Sequence, residues 1–238
     1  MKKYLIILLL LFTNSISFAQ IGGIAGKVDS SGTETLGLAY FSYETEKNID
    51  AGADDGTTYD ETTSNIGGSY LMMLENIGRL ELGISSFNAE VTYNVSTTDA
   101  DFNFDGLSYS GVLFPTISNL PIDVYVGYSF GDGKIKGNLI DNTGLDMTMT
   151  ASGFDVGLFK SVYEQDNTEA KFYVNFSSYE TESTTSFQGQ TETSKTDGNS
   201  SSFGLVIRID DWILNPGISR SDGESEFGIT FGRVFPIK

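Results

Sequence analysis

Large apolar residues alternate with small or polar ones through most of this chain. Ile122, Val124, Val126, Tyr128 and Phe130 are separated by Asp123, Tyr125, Gly127 and Ser129. Phe172, Val174 and Phe176 alternate with Lys171, Tyr173 and Asn175, and Phe203, Leu205, Ile207 and Ile209 with Gly204, Val206 and Arg208. Successive side chains of a strand point to opposite faces, so each run is a strand with one apolar and one mostly polar face. Ten such runs are expected, at about 33–45, 64–75, 78–94, 104–116, 121–132, 146–163, 169–182, 199–210, 212–220 and 225–236. The second and ninth are the weakest, which leaves eight strands open.

The connections fall into two kinds, taken alternately. Glu75–Gly78, Ile117–Leu120, Glu164–Thr168 and Asp210–Asp211 are tight, whereas Glu46–Thr63, Val95–Asn103, Gly133–Leu145 and Ser183–Gly198 are long and polar. Ser221–Glu224 is the one short member of the second kind. Short turns on one side and long loops on the other characterise transmembrane barrels. The expected fold is therefore all-β, a closed antiparallel up-and-down transmembrane β-barrel of about ten strands occupying 33–238. A secreted soluble β-sandwich, with the apolar rows buried between sheets, is the alternative. Tyr179–Ser202, rich in Thr, Ser and Gln, reads either as a disordered loop or as two strands continuing past the membrane. In the second case its edges could recruit partner strands.

Residues 1–19 have the build of a secretory signal. Lys2 and Lys3 precede the apolar stretch Tyr4–Phe12, and Ser17 and Ala19 supply the small residues of a cleavage site. That stretch is about half of the roughly 20 residues a spanning helix needs, so cleavage rather than anchoring is expected. Residues 20–32, Gly- and Ser-rich, read as a flexible lead-in.

The formal charge of −18 argues against nucleic acid as a partner. With no cysteine, disulfides, thiolate metal sites and a lipidated N-terminal cysteine are all excluded. With no histidine, Ser-His and Asp-His catalysis and imidazole metal sites are unavailable. No catalytic residue is assigned and no enzymatic activity is expected.

If the apolar rows face lipid, Arg79, Glu81, Asp123, Asp155, Lys171 and Arg208 face the lumen. Charges of both signs in a narrow interior should pair. A barrel of this size is filled by its own side chains, so a thin polar conduit is the second functional reading. Trp212, Tyr163 and Phe114 lie near tight turns and fit an aromatic girdle at the membrane interface. Asp101, Asn103 and Asp105, followed by Gly106, match the first half of a calcium loop, but Val112 stands where the bidentate glutamate belongs. Calcium is thus a weak candidate, and no other cofactor is expected. Glu44–Glu61 carries Glu44, Glu46, Asp50, Asp54, Asp55, Asp60 and Glu61. It reads as a solvated acidic loop, or as one that divalent ions bridge to lipopolysaccharide.

The last strand alternates Phe227, Ile229, Phe231 and Phe235 with Gly228, Thr230 and Gly232. With this strand and the loop pattern, the chain resembles the small outer-membrane β-barrel proteins of Gram-negative bacteria, the OmpA-, OmpX- and OmpW-like group. The resemblance implies an outer-membrane location, lipid and lipopolysaccharide as surroundings, and recognition of the final strand by the barrel assembly machinery. Arg233 interrupts the apolar row, and Pro236, Ile237 and Lys238 follow the aromatic that ends the chain in that group. The expected function is a non-enzymatic barrel serving envelope structure or interaction with an extracellular partner. A narrow porin-like channel and a secreted adhesion protein are the alternatives.

Overall fold

The computed structural model describes residues 34–50, 58–94, 100–117, 121–137, 146–221 and 224–237. The signal and lead-in segments lie outside them. Ten antiparallel strands form one closed sheet: β1 (Leu36–Asp50), β2 (Thr58–Leu74), β3 (Gly78–Asn94), β4 (Ala100–Pro115), β5 (Asp123–Gly137), β6 (Asp146–Gln165), β7 (Thr168–Phe187), β8 (Gln190–Ile209), β9 (Trp212–Ser221) and β10 (Glu224–Pro236). Each strand pairs with its sequence neighbours, and β10 closes onto β1 from Leu36↔Pro236 to Thr45↔Phe227. Ile237 adds a main-chain bond to the Thr35 carbonyl, 3.0 Å. The residues beyond the terminal aromatic thus help to seal the seam.

The weak second and ninth runs are strands, which settles the number at ten. Ser183–Gly198, long and polar by the connection pattern, takes the strand reading of Tyr179–Ser202 rather than the disordered-loop one. There β7 and β8 continue to a two-residue turn, Gln188–Gly189, with φ of 49° and 81°. Both central residues of a type I′ hairpin turn take positive φ, which glycine supplies freely. At the opposite end Asn76, Asp166 and Asp210 also take positive φ.

The register fixes the shape of the barrel. Following paired residues from Tyr173 through Gly204, Gly217, Gly228, Glu44, Thr63, Ala89, Phe104, Ile135 and Met147 returns to β7 at Thr185, twelve residues higher. A stagger of this size over ten strands sets a tilt of about 40° and a radius of about 10 Å.

Aromatic rings and carboxylates fill that cylinder by lying across glycines on the next strand. Tyr173 crosses Gly204 and Gly217, Tyr125 crosses Gly157, Tyr179 crosses Gly198, Phe87 crosses Gly106, and Asp155 crosses Gly127. In each case ring or carboxylate and glycine are register partners, Gly217 excepted. At the tight-turn end an apolar floor closes the bore. It is formed by Leu36, Leu38, Tyr40, Leu71, Val112, Phe114, Tyr125, Phe159, Tyr173, Val206, Ile213 and Val234. At mid-height the inward residues are small and polar, among them Ser42, Asn65, Ser85, Ser108, Ser129, Asn175 and Ser202, all buried. Toward the other end Phe87, Val91, Phe102, Phe104, Ile135, Met147 and Met149 are buried along β3–β6.

The outward rows are apolar and exposed on every strand, including Phe41, Ile66, Leu82, Tyr109, Tyr128, Phe154, Phe176, Phe203, Leu214 and Phe227. Soluble monomers rarely expose contiguous apolar patches larger than a few hundred Å². Phe227 to Phe235 climbs about 20 Å along the axis, close to the roughly 25 Å apolar band of transmembrane barrels.

The glycine packing gives a paired test. A Cβ at Gly157 would collide with the Tyr125 ring, whereas one at Gly153 meets nothing nearer than 3.5 Å. Gly157→Ala should destabilise the folded barrel by about 1–3 kcal/mol. Gly153→Ala should leave stability unchanged or slightly raised. Urea unfolding followed by heat-modifiable gel migration measures both.

Candidate functional site

Four of the six residues expected to face the lumen are buried inside the floor: Arg79, Glu81, Asp155 and Lys171. Arg79 donates to the main-chain carbonyl of Glu34. Glu81 accepts from the Ser69 hydroxyl at 2.6 Å. Lys171 pairs with Glu169 at 2.9 Å and lies 5.7 Å from the centre of the Phe159 ring. Asp123 and Arg208 are instead at the rim of the tight-turn end. Asp123 is exposed, and Arg208 donates to the Asp210 carbonyl at 2.7 Å.

Phe114 is not part of an interface girdle. It is turned inward and only 4 % exposed, packed against Tyr125 and Phe159 with ring centres 5.6 and 5.9 Å away. An even–odd count from the outward Leu113 places it inside, because the face a strand residue takes is set by its parity and not by its closeness to a turn. Trp212 and Tyr163 do face outward. Trp212 stacks on Phe231 at 5.1 Å, and the Arg233 guanidinium lies over the Trp212 ring, 5.5 Å from its centre, while reaching Asp211 at 3.5 Å. A long basic side chain that runs along apolar surface to a polar end explains how the final strand tolerates Arg233. Phe227, Ile229, Phe231 and Phe235 share the outward face of β10.

Asn103 and Asp105 lie within β4, a strand paired on both sides, so the turn that a calcium loop requires at Gly106 is not formed. The Asp105 carboxylate is held by Asn88 at 2.6 Å and Lys136 at 3.0 Å. The backbone of Asp101 pairs with Thr92; its side chain lies outside the described part. Nor is Glu44–Glu61 simply a solvated loop. Glu44 and Glu61 are inward strand residues and buried, with Thr63 donating to Glu61 at 3.5 Å. Asp54 and Asp55 lie outside the described residues. Among the described residues no cluster of three or more acidic side chains is arranged to hold a metal ion.

The surface that distinguishes this barrel is at the end away from the chain termini. There β6, β7 and β8 continue together as a three-stranded sheet, with pairing that reaches Asp146↔Ser186 and Phe187↔Gln190. The neighbouring β9–β10 hairpin stops at Ser221 and Glu224, so the wall is uneven in height. Cross-strand hydroxyl pairs Thr184–Thr193 and Ser186–Thr191, at 3.4 and 3.2 Å, line the outer face of the extension. Lys195 bridges Glu182 at 2.7 Å and Glu180 at 3.4 Å. Cross-strand pairs of this kind stabilise a sheet locally. The sequence signal was the Thr- and Ser-rich composition, which suits strands and loops alike.

No family model and no curated protein matches the sequence. Solved structures do match the fold. The translocator domain of the autotransporter NalP from Neisseria meningitidis superposes with a TM-score of 0.56 at 9% identity, over 92% of this chain and 94% of that one. The β domain of the Bordetella autotransporter BrkA gives 0.47 at 8% identity, over 86% and 100%. The Escherichia coli outer-membrane protease OmpT gives 0.47 at 11% identity, over 87% and 98%. At these identities the likeness is one of fold, that of outer-membrane β-barrels, and the last two overlap too loosely to argue from.

Hydrogen bonding to Glu182, and then the charges of Glu180 and Glu182, raise the Lys195 ammonium above the ordinary lysine value of 10.5. A raised basic group keeps its link below its unfolded value and loses it as pH rises through the folded one. The Lys195 side-chain carbon shift in NMR should therefore titrate above 10.5. In Glu180→Gln/Glu182→Gln it should return to the ordinary range.

Proposed function

We propose that this protein is a non-enzymatic outer-membrane β-barrel. In this reading its closed lumen anchors it, and its loop-side sheet extension presents a surface to partners outside the cell. The observation that carries the reading is the pairing of an exposed apolar outer wall with a bore filled at one end. Every residue of the floor that holds Leu36, Leu38, Phe114 and Phe159 is buried, none more than 5 % exposed. Such a wall suits acyl chains as solvent, because a closed sheet pairs its strands all the way round and leaves no free edge within the apolar band. A filled bore favours an anchor over a porin-like conduit. The absence of histidine from the chain removes the base on which hydrolytic chemistry most often relies.

Both chain termini of the barrel and the tight turns then lie on the periplasmic side, and the β6–β8 extension lies outside. Lipid and lipopolysaccharide surround the wall, and the outward row of β10 is offered to the barrel assembly machinery. No helix among the described residues is long and apolar enough to cross a membrane.

Two measurements test the reading. The chain should fractionate with outer membranes and migrate faster unheated than boiled. Reconstituted in planar bilayers, it should give no discrete conductance steps. Steps that persist in purified, correctly folded protein would replace the anchor with the channel.

A further inference from the structure

Strand β8 is paired with β7 along its whole length, from Ile209 to Gln190, with no register shift. On its other side it is paired with β9 only as far as Ser200. Gln190–Gly198 therefore presents an edge that no strand among the described residues covers, the Asn199 carbonyl accepting from the Ser221 hydroxyl at 3.5 Å. An open edge offers alternate N–H and C=O groups to an incoming chain. Side chains from Gln190 to Thr193, and those of Lys195, Asp197 and Asn199, are exposed. β6, the other outer strand of the extension, is paired on its far side up to Ile135↔Met147.

Protein edges are usually protected by proline, a bulge, extreme shortness or charged side chains, lysine above all. This segment contains no proline and no bulge. Its one lysine is engaged by Glu180 and Glu182. The local charge is also one-sided. Asp146, Glu180, Glu182, Glu192 and Asp197 stand in the three extended strands against Lys195 alone.

We propose that the β8 edge accepts a basic, extended segment of another polypeptide, added as a strand above the end of β9. The proposal rests on the reading of this end as the outer one. The guest would run about ten residues, roughly 33 Å. Glu192 and Asp197 lie on opposite faces of β8, so the guest should carry a basic residue on each face, about five positions apart, with β-branched residues between them. Main-chain bonds give such a complex its affinity, and the charges its selectivity.

The full chain in detergent micelles can be titrated with three labelled peptides of about ten residues, followed by fluorescence anisotropy. One alternates Thr and Val and carries two lysines spaced to meet Glu192 and Asp197. The second replaces those lysines with glutamate. The third keeps them but is N-methylated at alternate amides. The first should bind at least about tenfold tighter than the second, and the third should lose binding. Glu192→Lys/Asp197→Lys should reverse the preference while heat-modifiable migration stays unchanged, which shows that the variant is folded.

Equal binding of the N-methylated peptide would reduce the effect to charge adhesion and overturn strand addition. So would the absence of any charge preference, or disulfide-linked dimers of Lys195→Cys that the basic peptide cannot prevent, since a second copy would then hold the edge. An epitope inserted after Gly189 and probed on intact cells tests sidedness separately. If it is inaccessible while peptide binding persists, the location reading falls and the edge assignment stands.

Discussion

Main-chain hydrogen bonding within hydrocarbon governs this structure. No water is available there to satisfy a strand edge, so a sheet that meets acyl chains has to close on itself. The seam between β1 and β10 is therefore the most consequential interface in the molecule, and its register runs unbroken from Leu36↔Pro236 to Thr45↔Phe227. Closure carries a second requirement. Strand number and stagger set the radius, and the radius sets how much side-chain volume the interior must hold.

The interior answers with an arrangement of large residues over glycines. Rings such as Tyr125 and Tyr173 reach across the wall, and the glycine on the adjacent strand gives each ring its place. The result is a bore closed by apolar side chains near the tight turns and lined above by small polar ones. Charged residues in the floor are held by short contacts, such as Lys171–Glu169 and Ser69–Glu81, in keeping with the cost of leaving a buried charge unpaired.

The same hydrogen-bonding rule relaxes once the strands leave the apolar band. Above it the wall is free to vary in height, and it does so where β8 outruns β9. An edge that could not exist at membrane depth is allowed there, because water satisfies it until another strand does. The part of the barrel that leaves main-chain groups open is thus the part where closure is no longer enforced.

Much of this was legible from residue order. The period-two pattern located all ten strands and placed their tight-turn ends within about three residues, while β1, β2, β5, β7 and β8 run further at the loop end. The outward row of β10 is legible directly from Phe227, Ile229, Phe231 and Phe235. The misses share one cause. Phe114 was assigned by its nearness to a turn rather than by its face. The run from Asp101 to Gly106 has the composition of a loop but is held extended by pairing with β3 and β5. Glu44 and Glu61 look like loop acids until β1 and β2 are seen to carry them inside.

Residue order alone determined the alternation, the strand count to within two, and the wall's apolar outer face, because these depend only on near neighbours along one strand. Only the tertiary structure decided the stagger, the glycine beneath each ring, the filled floor and the open edge of β8. Each of those depends on which residues of different strands stand side by side, and register is a property of the closed sheet rather than of any strand within it.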